Sequence, residues 1–286
     1  MDDELICRPG PFGFDPPEIA PGGAVGAPLM TPLWNAPGSI PWYLGWGAPP
    51  FLFLPQAEEM KNVQVTAAEL SLLAAGYKPL AEVVEALCSK AEAYMWFHEI
   101  NRFPLRMCHF LAQLAHESGR FTKLRESLNY STSSRILEVF GPNHSAKVTV
   151  EEAEALINSQ QALAERVYGL GNPTKAAEFK HKVAGEGFKF RGRGLIQLTG
   201  KANYEKFGKH PDIKLDLVAK PELAEDPFIA VQLAVAFWKE RDLSALADAD
   251  NVTAITKRIN GGTEGLGDRK KLLATAKDIW LNKQMS

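Results

Sequence analysis

The pattern of apolar and polar positions from Thr66 onwards is typical of a chain of helices. Thr66 has Glu69 three residues after it, which is the spacing of a capping box, so a helix is predicted to begin there and to end at Gly76. A second helix is expected over residues 79–101, and Pro104 occupies the first turn of a third. Further helical patterns cover residues 149–168, 201–208, 226–241, 251–260 and 267–283.

The third helix, PLRMCHFLAQLAHESG, is apolar on most of its sides. A helix of this kind is normally buried in a core, so it is predicted to be the central helix of the fold. Strand patterns are few, and FKFRGRGLIQL is the best candidate for a short extended segment. The predicted fold class is therefore mainly α. The two apolar rows of the central helix are Cys108, Leu111, Ala112 and Ala115, and Met107, Phe110 and Leu114.

The segment before Met60 has a different composition. Residues 1–60 hold 12 of the 19 prolines and 3 of the 6 tryptophans, and one arginine stands against seven acidic residues. Closely spaced prolines interrupt both helices and strand ladders. We therefore divide the chain into an irregular Pro/Gly/aromatic-rich extension of unknown role, residues 1–59, and a folded domain, residues 60–286. Met60 is also a candidate start of translation, and the part that follows it is expected to fold alone.

Composition argues against several classes of protein. The net charge of −2 over 286 residues does not suit a general nucleic-acid-binding protein, and no apolar run reaches the ~18 residues of a transmembrane helix. The beginning of the chain lacks the basic and apolar regions of a secretory signal peptide. Three cysteines without CxxC spacing do not suggest a disulfide scaffold, and Cys88 and Cys108 are interpreted as core thiols.

Two glutamates follow at the end of the central helix. Glu117 lies in its last turn, and Glu126 comes nine residues later in RESLNYS. On one continuous helix they would lie on opposite faces, so they can share a cleft only if the chain turns, and Gly119 is well placed to allow this. Burial and the helix dipole would favour protonated Glu117, whereas Glu126 would be ionised on an exposed loop. An acid and a base suit glycoside hydrolysis, although two structural glutamates are the simpler alternative.

Two further motifs carry polar side chains beside glycines. In RGRGLIQLTG an extended backbone would place Gln197 and Thr199 side by side on one face, suited to a water or a sugar amide. In INGG, Asn260 is predicted to end a helix and the glycines to turn the chain. A metal site is not indicated, because His109 and His116 share one helix but HExxH and a third ligand are missing.

The motifs resemble one family in order and spacing. LAQLAHESGRF, RESLNYS, ERVYG, GFKFRGRGLIQLTGKANY and KRINGG are similar to glycoside hydrolase family 19, and in particular to its bacteriophage and prophage endolysins. The resemblance covers about residues 61–283. It implies a lysozyme-like, mainly α fold with two lobes, a central buried helix and a substrate cleft between the lobes.

The resemblance also implies catalytic roles. Glu117 would be the general acid that protonates the glycosidic oxygen, and Glu126 the general base. Thr199 would help to hold the attacking water. An inverting mechanism of this type needs the two carboxyl groups about 6.5–9.5 Å apart, with a water between one of them and the sugar. No metal and no cofactor is implied.

Other site residues are implied in supporting positions. Glu264 and Arg269 would form a polar network beside Glu117. His116 would either contact sugar or orient the end of the helix, and both alternatives stay open. The residues implied to line the sugar cleft are Gln197, Asn203, Tyr204 and Asn260.

The leading functional hypothesis is an endolysin-type hydrolase that cleaves MurNAc–GlcNAc bonds of bacterial peptidoglycan. The alternatives are a chitinase, a delivered antibacterial effector with the same activity, and a glycan-binding module without catalysis. The protein is expected to be a monomer, to bind glycan strands rather than nucleic acid, and not to insert stably into a membrane. We expect it to be made in the cytoplasm of a bacterial host without a signal peptide and to act on the periplasmic wall after release.

Overall fold

A computed structural model describes residues 62–282, which belong to one compact unit of the chain. The extension 1–59, with Cys7, lies outside the described residues, as does Lys283. Within 62–282 the fold is mainly α, as predicted. Its helices are α1 Ala67–Leu73, α2 Ala81–Glu85, α3 Glu92–Phe97, α4 Pro104–Glu117, α5 Ser133–Phe140, α6 Val150–Ala155, α7 Gln160–Val167, α8 Pro173–Glu178, α9 Glu186–Lys189, α10 Lys201–Gly208, α11 Pro227–Glu240, α12 Leu243–Asp248, α13 Val252–Asn260 and α14 Leu266–Trp280, with a π-helix at Ala86–Lys90 and a 3₁₀ helix at Pro221–Glu225.

Local sequence signals place several helix ends correctly. Thr66 is the N-cap of α1, and its side chain and that of Glu69 form the predicted capping box. Pro104 stands in the first turn of α4. The predicted helix 79–101 is instead divided into α2, the π-helix and α3, and the predicted helix 149–168 into α6 and α7. Helix propensity is a weak guide to continuity, because tertiary packing can interrupt a helix wherever the chain must change direction.

The central helix is α4, and it is buried over most of its length. It packs most extensively against α14. Cys108 is fully buried, and burial raises the pKa of its thiol to about 12, as expected for a core cysteine. Cys88 is half-buried, and burial raises its pKa as well. The predicted buried central helix is therefore confirmed.

Two separate groups of buried apolar side chains form the cores of two lobes. The larger group includes residues of α1, α4, α11 and α14 together with Phe190 and Leu195. The smaller group is drawn from residues 128–179, including Tyr168. Within 62–282 no helix is both long and apolar enough to span a membrane. The chain around Glu126 connects the two groups, because Leu124 packs against the larger one and Leu128 belongs to the smaller one.

The apolar face of α14 is part of the larger core. Leu272, Leu273, Ala276, Ile279 and Trp280 are all at most 5% exposed. A basic amphipathic helix that lies on a membrane would need that face to be free. In this fold the face is instead packed within the larger core.

Replacing Trp280 should lower stability. Trp280 is 3% exposed and its indole N–H donates to Glu69 Oε2 at 3.1 Å. Trp280→Ala should cost about 3–5 kcal/mol of unfolding free energy because it leaves a large cavity. Trp96→Ala is the matched control, since Trp96 is 44% exposed and should cost much less. Equal denaturation midpoints for the two variants would contradict the packing argument.

Candidate active site

The end of α4 turns sharply after Glu117. Ser118 is the C-cap, and Gly119, Arg120 and Phe121 follow with φ angles of 56°, 65° and 64°. Three consecutive left-handed residues reverse the chain, and only the first is a glycine, for which this conformation carries no steric penalty. The turn expected at Gly119 is confirmed, so Glu117 and Glu126 do not lie on one continuous helix.

Glu117 is 8% exposed and forms an ion pair with Arg269. The Arg269 guanidinium is 1% exposed and also donates to Gln113 Oε1 of α4. Burial and the helix dipole, taken from the residues alone, disfavour a carboxylate at this position, and the family resemblance placed Arg269 beside it. The structure has this buried cation in direct contact, where it attracts the carboxylate. The expected contact between Arg269 and Glu117 is thus present.

His116 is tied to the last helix of the fold. Its Nδ1 lies 2.6 Å from Asp268 Oδ2, and Arg120 donates to the same carboxylate with Nη1 at 3.0 Å. Burial by itself would raise the pKa of Asp268, but these hydrogen bonds and charges hold it well below its usual range. His116 is only 7% exposed, and its ring edge faces Gly265. Of the two alternatives for His116, the geometry favours orientation of the helix end.

Glu126 is half-buried rather than exposed, which corrects the sequence-based expectation. Its Oε1 accepts a hydrogen bond from the Tyr168 hydroxyl at 2.7 Å, and its Oε2 accepts one from the Gly192 N–H at 3.0 Å. Burial raises the pKa of Glu126, while the two hydrogen bonds and the nearby Arg191 and Arg193 oppose the rise. A carboxyl group with a raised pKa is a stronger base once ionised, so this environment suits proton acceptance.

The RGRGLIQLTG segment is not extended. Arg193 and Leu198 pair as an isolated antiparallel bridge, and residues 194–197 form the tight turn between them. Gln197 has a φ of 50°, so the alternation of a strand does not apply to it. Gly194 has a φ of 72° and packs on the Ala224 carbonyl, which explains a glycine here. The expected strand over FKFRGRGLIQL is therefore wrong, since α9 and this turn occupy it.

Gln197 and Thr199 nevertheless come together, around Gly192. A methyl group added at Gly192 would stand 2.8 Å from Gln197 Oε1 and 3.3 Å from both Glu126 Oε2 and Thr199 Oγ1. The missing side chain is what lets the three oxygens converge. Thr199 Oγ1 donates its own proton to the Gln197 carbonyl at 3.0 Å, so its lone pairs remain available as acceptors. The turn thus presents a carboxylate, a hydroxyl and an amide at one place.

The Thr199 hydroxyl can be tested directly. Thr199→Ala should reduce glycan cleavage by a few-fold to about tenfold, since one hydrogen bond is worth about 0.5–1.5 kcal/mol. Thr199→Ser keeps the hydroxyl and should retain most of the kcat. An inactive serine variant beside an active alanine variant would show that the hydroxyl is not the functional part of Thr199.

Tyr204 supports the site from inside the protein. It is fully buried, its hydroxyl donates to the Arg191 carbonyl at 2.8 Å, and Arg193 Nη1 donates to the same hydroxyl at 2.9 Å. Tyr204 thus holds the turn from inside the protein, and its place in the lining of the sugar cleft stays a prediction. Asn203 is half-buried, and its Nδ2 donates to the Thr199 carbonyl at 2.7 Å, which fixes the backbone beside that hydroxyl.

Asn260 ends α13, and Gly261 follows with a φ of 73°, as predicted for the INGG motif. Asn260 Nδ2 donates to the backbone carbonyl of Glu264 at 3.1 Å. Within the described range its buried Oδ1 has no hydrogen-bond partner. The Glu264 side chain lies on an exposed turn, and the network beside Glu117 is built by Arg269 and Gln113.

The sequence analysis assigned no role to three residues that shape the site. Tyr168 holds Glu126, Gln113 holds Arg269, and Asp268 holds His116. Two of them had a signal in the sequence. Tyr168 lies in the ERVYG string, and Gln113 precedes Glu117 by four residues, which places both side chains on the same face of the helix. Among residues 62–282 no group of three or more His, Cys, Asp or Glu side chains is arranged to hold a metal ion.

Comparisons with known proteins agree with these motifs. A family model described as "Chitinase class I", of the glycoside hydrolase 19 family, matches residues 168–265. An acidic endochitinase of Solanum chilense is 45% identical over 51 residues, 18% of this chain and 20% of its own. Among solved structures, chitinase C of Streptomyces griseus is 16% identical with a TM-score of 0.47, covering 77% of this chain and 93% of its own. A class IV chitinase of Zea mays has 18% identity and a TM-score of 0.45 over 76% and 92%.

A further sequence similarity is to a "Glycosyl hydrolase family 19 domain-containing protein" of Haemophilus influenzae. The two chains are 36% identical over 171 residues, which is 59% of this chain and 76% of that protein. At this identity, over three quarters of the relative, shared ancestry accounts for the common motifs. The chain therefore belongs to glycoside hydrolase family 19.

Proposed function

We propose that this glycoside hydrolase cleaves the MurNAc–GlcNAc bonds of bacterial peptidoglycan with inversion at the anomeric carbon. The observation that carries the proposal is the convergence of Glu126, Thr199 and Gln197 at Gly192. It supplies a base and two further polar atoms at one place, as activation of a water requires. Glu117, at the end of the central helix, supplies the acid.

The proposed reaction balances with one water. Glu117 donates its proton to the glycosidic oxygen as the bond from that oxygen to the anomeric carbon breaks. The water attacks the opposite face of that carbon and gives its proton to Glu126, so the product has the inverted configuration. Arg269 stabilises the carboxylate that Glu117 becomes, and this favours proton donation in the transition state.

Two observations bear on the choice of polymer. Residues 61–286 carry 31 basic and 27 acidic side chains, a small positive excess that suits an anionic wall polymer. Chitin is the second candidate, and it is favoured by the relatives that are named endochitinases. Peptidoglycan and chitin share the β-1,4-linked N-acetylated sugar, so the same acid and base serve both.

The test is digestion of purified peptidoglycan followed by mass spectrometry of the products. A new reducing end on MurNAc is expected for the proposed bond, whereas a new reducing end on GlcNAc would overturn it. Proton NMR during the first minutes should show the α-anomer as the initial product. Release of soluble oligosaccharides from chitin but not from peptidoglycan would support the chitinase alternative.

We propose host-cell lysis, as in an endolysin, as the biological setting of this activity, with a delivered antibacterial effector as the alternative. The neighbouring genes distinguish them. Holin and spanin genes would support lysis, while secretion and immunity genes would support delivery.

A further inference from the structure

A cavity of about 620 Å³ lies beside the turn that holds Glu126. Its wall comes from α7, α9, the turn after α9 and the start of the 3₁₀ helix, and it includes Lys189, Arg191 and Arg193. Sites for small ligands commonly have ~300–1,000 Å³, so a sugar substituent or a short peptide fits this volume. Gly192, whose N–H binds Glu126, stands between the two arginines and links the cavity to the catalytic base.

Among residues 62–282, Arg193 has an ion-pair partner and Arg191 has none. Arg193 Nε lies 2.7 Å from Glu225 Oε1. Arg191 is 9% exposed, and its Nη1 donates to the Phe188 carbonyl at 2.8 Å, but its buried Nε has no hydrogen-bond partner in the part of the chain that the structure describes. No carboxylate of residues 62–282 lies within ion-pair distance of Arg191. Burial and the neighbouring cations Arg193 and Arg125 lower the pKa of Arg191, and the more distant charge of Glu225 opposes this shift.

Lys189 adds a second cation that is available to a ligand. It is exposed, and over the described residues no carboxylate pairs with its ammonium group. Two acidic residues also line the cavity. Glu165 Oε1 accepts the backbone N–H of Gly187 at 2.8 Å, and Glu222 is exposed near the edge. Arg191 lies over the Phe188 ring and Lys189 over the Phe190 ring, but neither has an ion-pair partner among residues 62–282. The wall therefore offers two cations without a carboxylate partner, beside two carboxylates of which one is bound by the backbone.

We propose that this cavity binds a carboxylate of the stem peptide that peptidoglycan carries on the muramic acid next to the scissile bond. The proposal rests on the proposed peptidoglycan function. A buried arginine without an ionic partner gains most from a ligand that brings its own negative charge. Chitin carries no carboxylate, whereas each stem peptide carries several. The cavity would therefore distinguish the two polymers, while the acid and base are common to both.

The test compares three substrates with the full-length protein. They are glycan strands with intact stem peptides, the same strands after an amidase has removed the peptides and left the lactyl carboxylate, and chito-oligosaccharides. The measured quantity is kcat/KM on peptide-bearing strands divided by kcat/KM on chito-oligosaccharides. Lys189→Gln should lower this ratio about three- to fivefold, the range for one partly exposed ion pair, and Lys189→Glu by more.

Matched variants make the result specific. Lys271→Gln removes the same charge from an exposed position of α14 outside the cavity, and the ratio should stay at its wild-type value. Arg191→Gln should lower the ratio more than Lys189→Gln, with thermal unfolding measured beside it because Arg191 is buried. Since Lys189 is exposed, its variants give an answer even if Arg191→Gln does not fold.

Three results would overturn the proposal. Equal losses on peptide-bearing strands and chito-oligosaccharides would show that Lys189 acts on the neutral sugar. The same loss on strands without peptides would assign the site to the lactyl carboxylate instead. If the wild-type enzyme cleaves peptidoglycan and the ratio is unchanged in all variants, the carboxylate site is refuted but the proposed function stands. If the wild-type enzyme cleaves no peptidoglycan strand, the proposed function itself is refuted.

Discussion

Glu126→Gln is expected to reduce glycan cleavage by about 10²-fold or more, because an amide cannot accept the proton of the attacking water. Glutamine has nearly the same shape and can still accept the hydrogen bond of Tyr168. The fold should therefore persist, and thermal unfolding should confirm it. Activity is measured as kcat/KM on purified peptidoglycan. Cleavage at close to the wild-type rate would show that Glu126 is not the base.

The role of Glu126 can also be tested by changing its hydrogen-bond partner and measuring the pH dependence of kcat/KM. The Tyr168 hydroxyl stabilises ionised Glu126, so Tyr168→Phe should raise the pKa of Glu126 further. A base acts in its ionised form, and activity is lost as the pH falls through its pKa. The acid limb of the kcat/KM profile should thus move to higher pH. Tyr94→Phe is the control, because the buried Tyr94 hydroxyl has no hydrogen-bond partner in the described chain.

Glu117→Gln is also expected to reduce cleavage by about 10²-fold or more, because the amide has no transferable proton. Its structural effect should be larger than that of Glu126→Gln, since Arg269 loses the charge of its buried partner. We expect a loss of about 1–3 kcal/mol in the free energy of unfolding, with the activity measured where the variant is folded. Glu154→Gln, at an exposed position of α6, should change neither quantity.

A substrate with a good leaving group separates the roles of the two glutamates. On a chito-oligosaccharide that carries dinitrophenol at its reducing end, the dinitrophenolate leaves without being protonated. Cleavage of this substrate therefore needs the base but not the acid. Glu117→Gln should regain much of its lost rate on this substrate, whereas Glu126→Gln should not. Equal defects of the two variants on both substrates would contradict the assignment of acid and base.

The sequence predicted helix ends correctly where the residues that cause them lie within the same helical turn. The capping box at Thr66, the proline at position 104 and the glycine after Asn260 act within one helical turn, and the structure has all three as expected. The apolar surface of α4 predicted its burial for the same reason, because a helix without a polar face has no stable exposed position.

The surroundings of the two glutamates could not be predicted in this way. Glu126 is held by Tyr168, 42 residues away, and Glu117 by Arg269, 152 residues away. Neither partner could be recognised from its distance along the sequence. Tertiary packing, and not the period of a helix, decides which distant residues meet across a core. The sequence argument consequently expected an exposed Glu126, and it placed Arg269 beside Glu117 only through the family resemblance. The structure corrects the first point and has the second contact as an ion pair.

By itself, the sequence determined the mainly α class, the central helix and the residue types that carry the chemistry, because periodicity, capping and motif order are properties of short segments. Only the tertiary structure decided that Gly192 gathers Glu126, Gln197 and Thr199, through a tight turn where an extended strand was expected. It likewise decided the charge around each carboxyl group. Burial and ion pairing depend on which distant side chains share a low-dielectric space, and that is known only once the chain has packed.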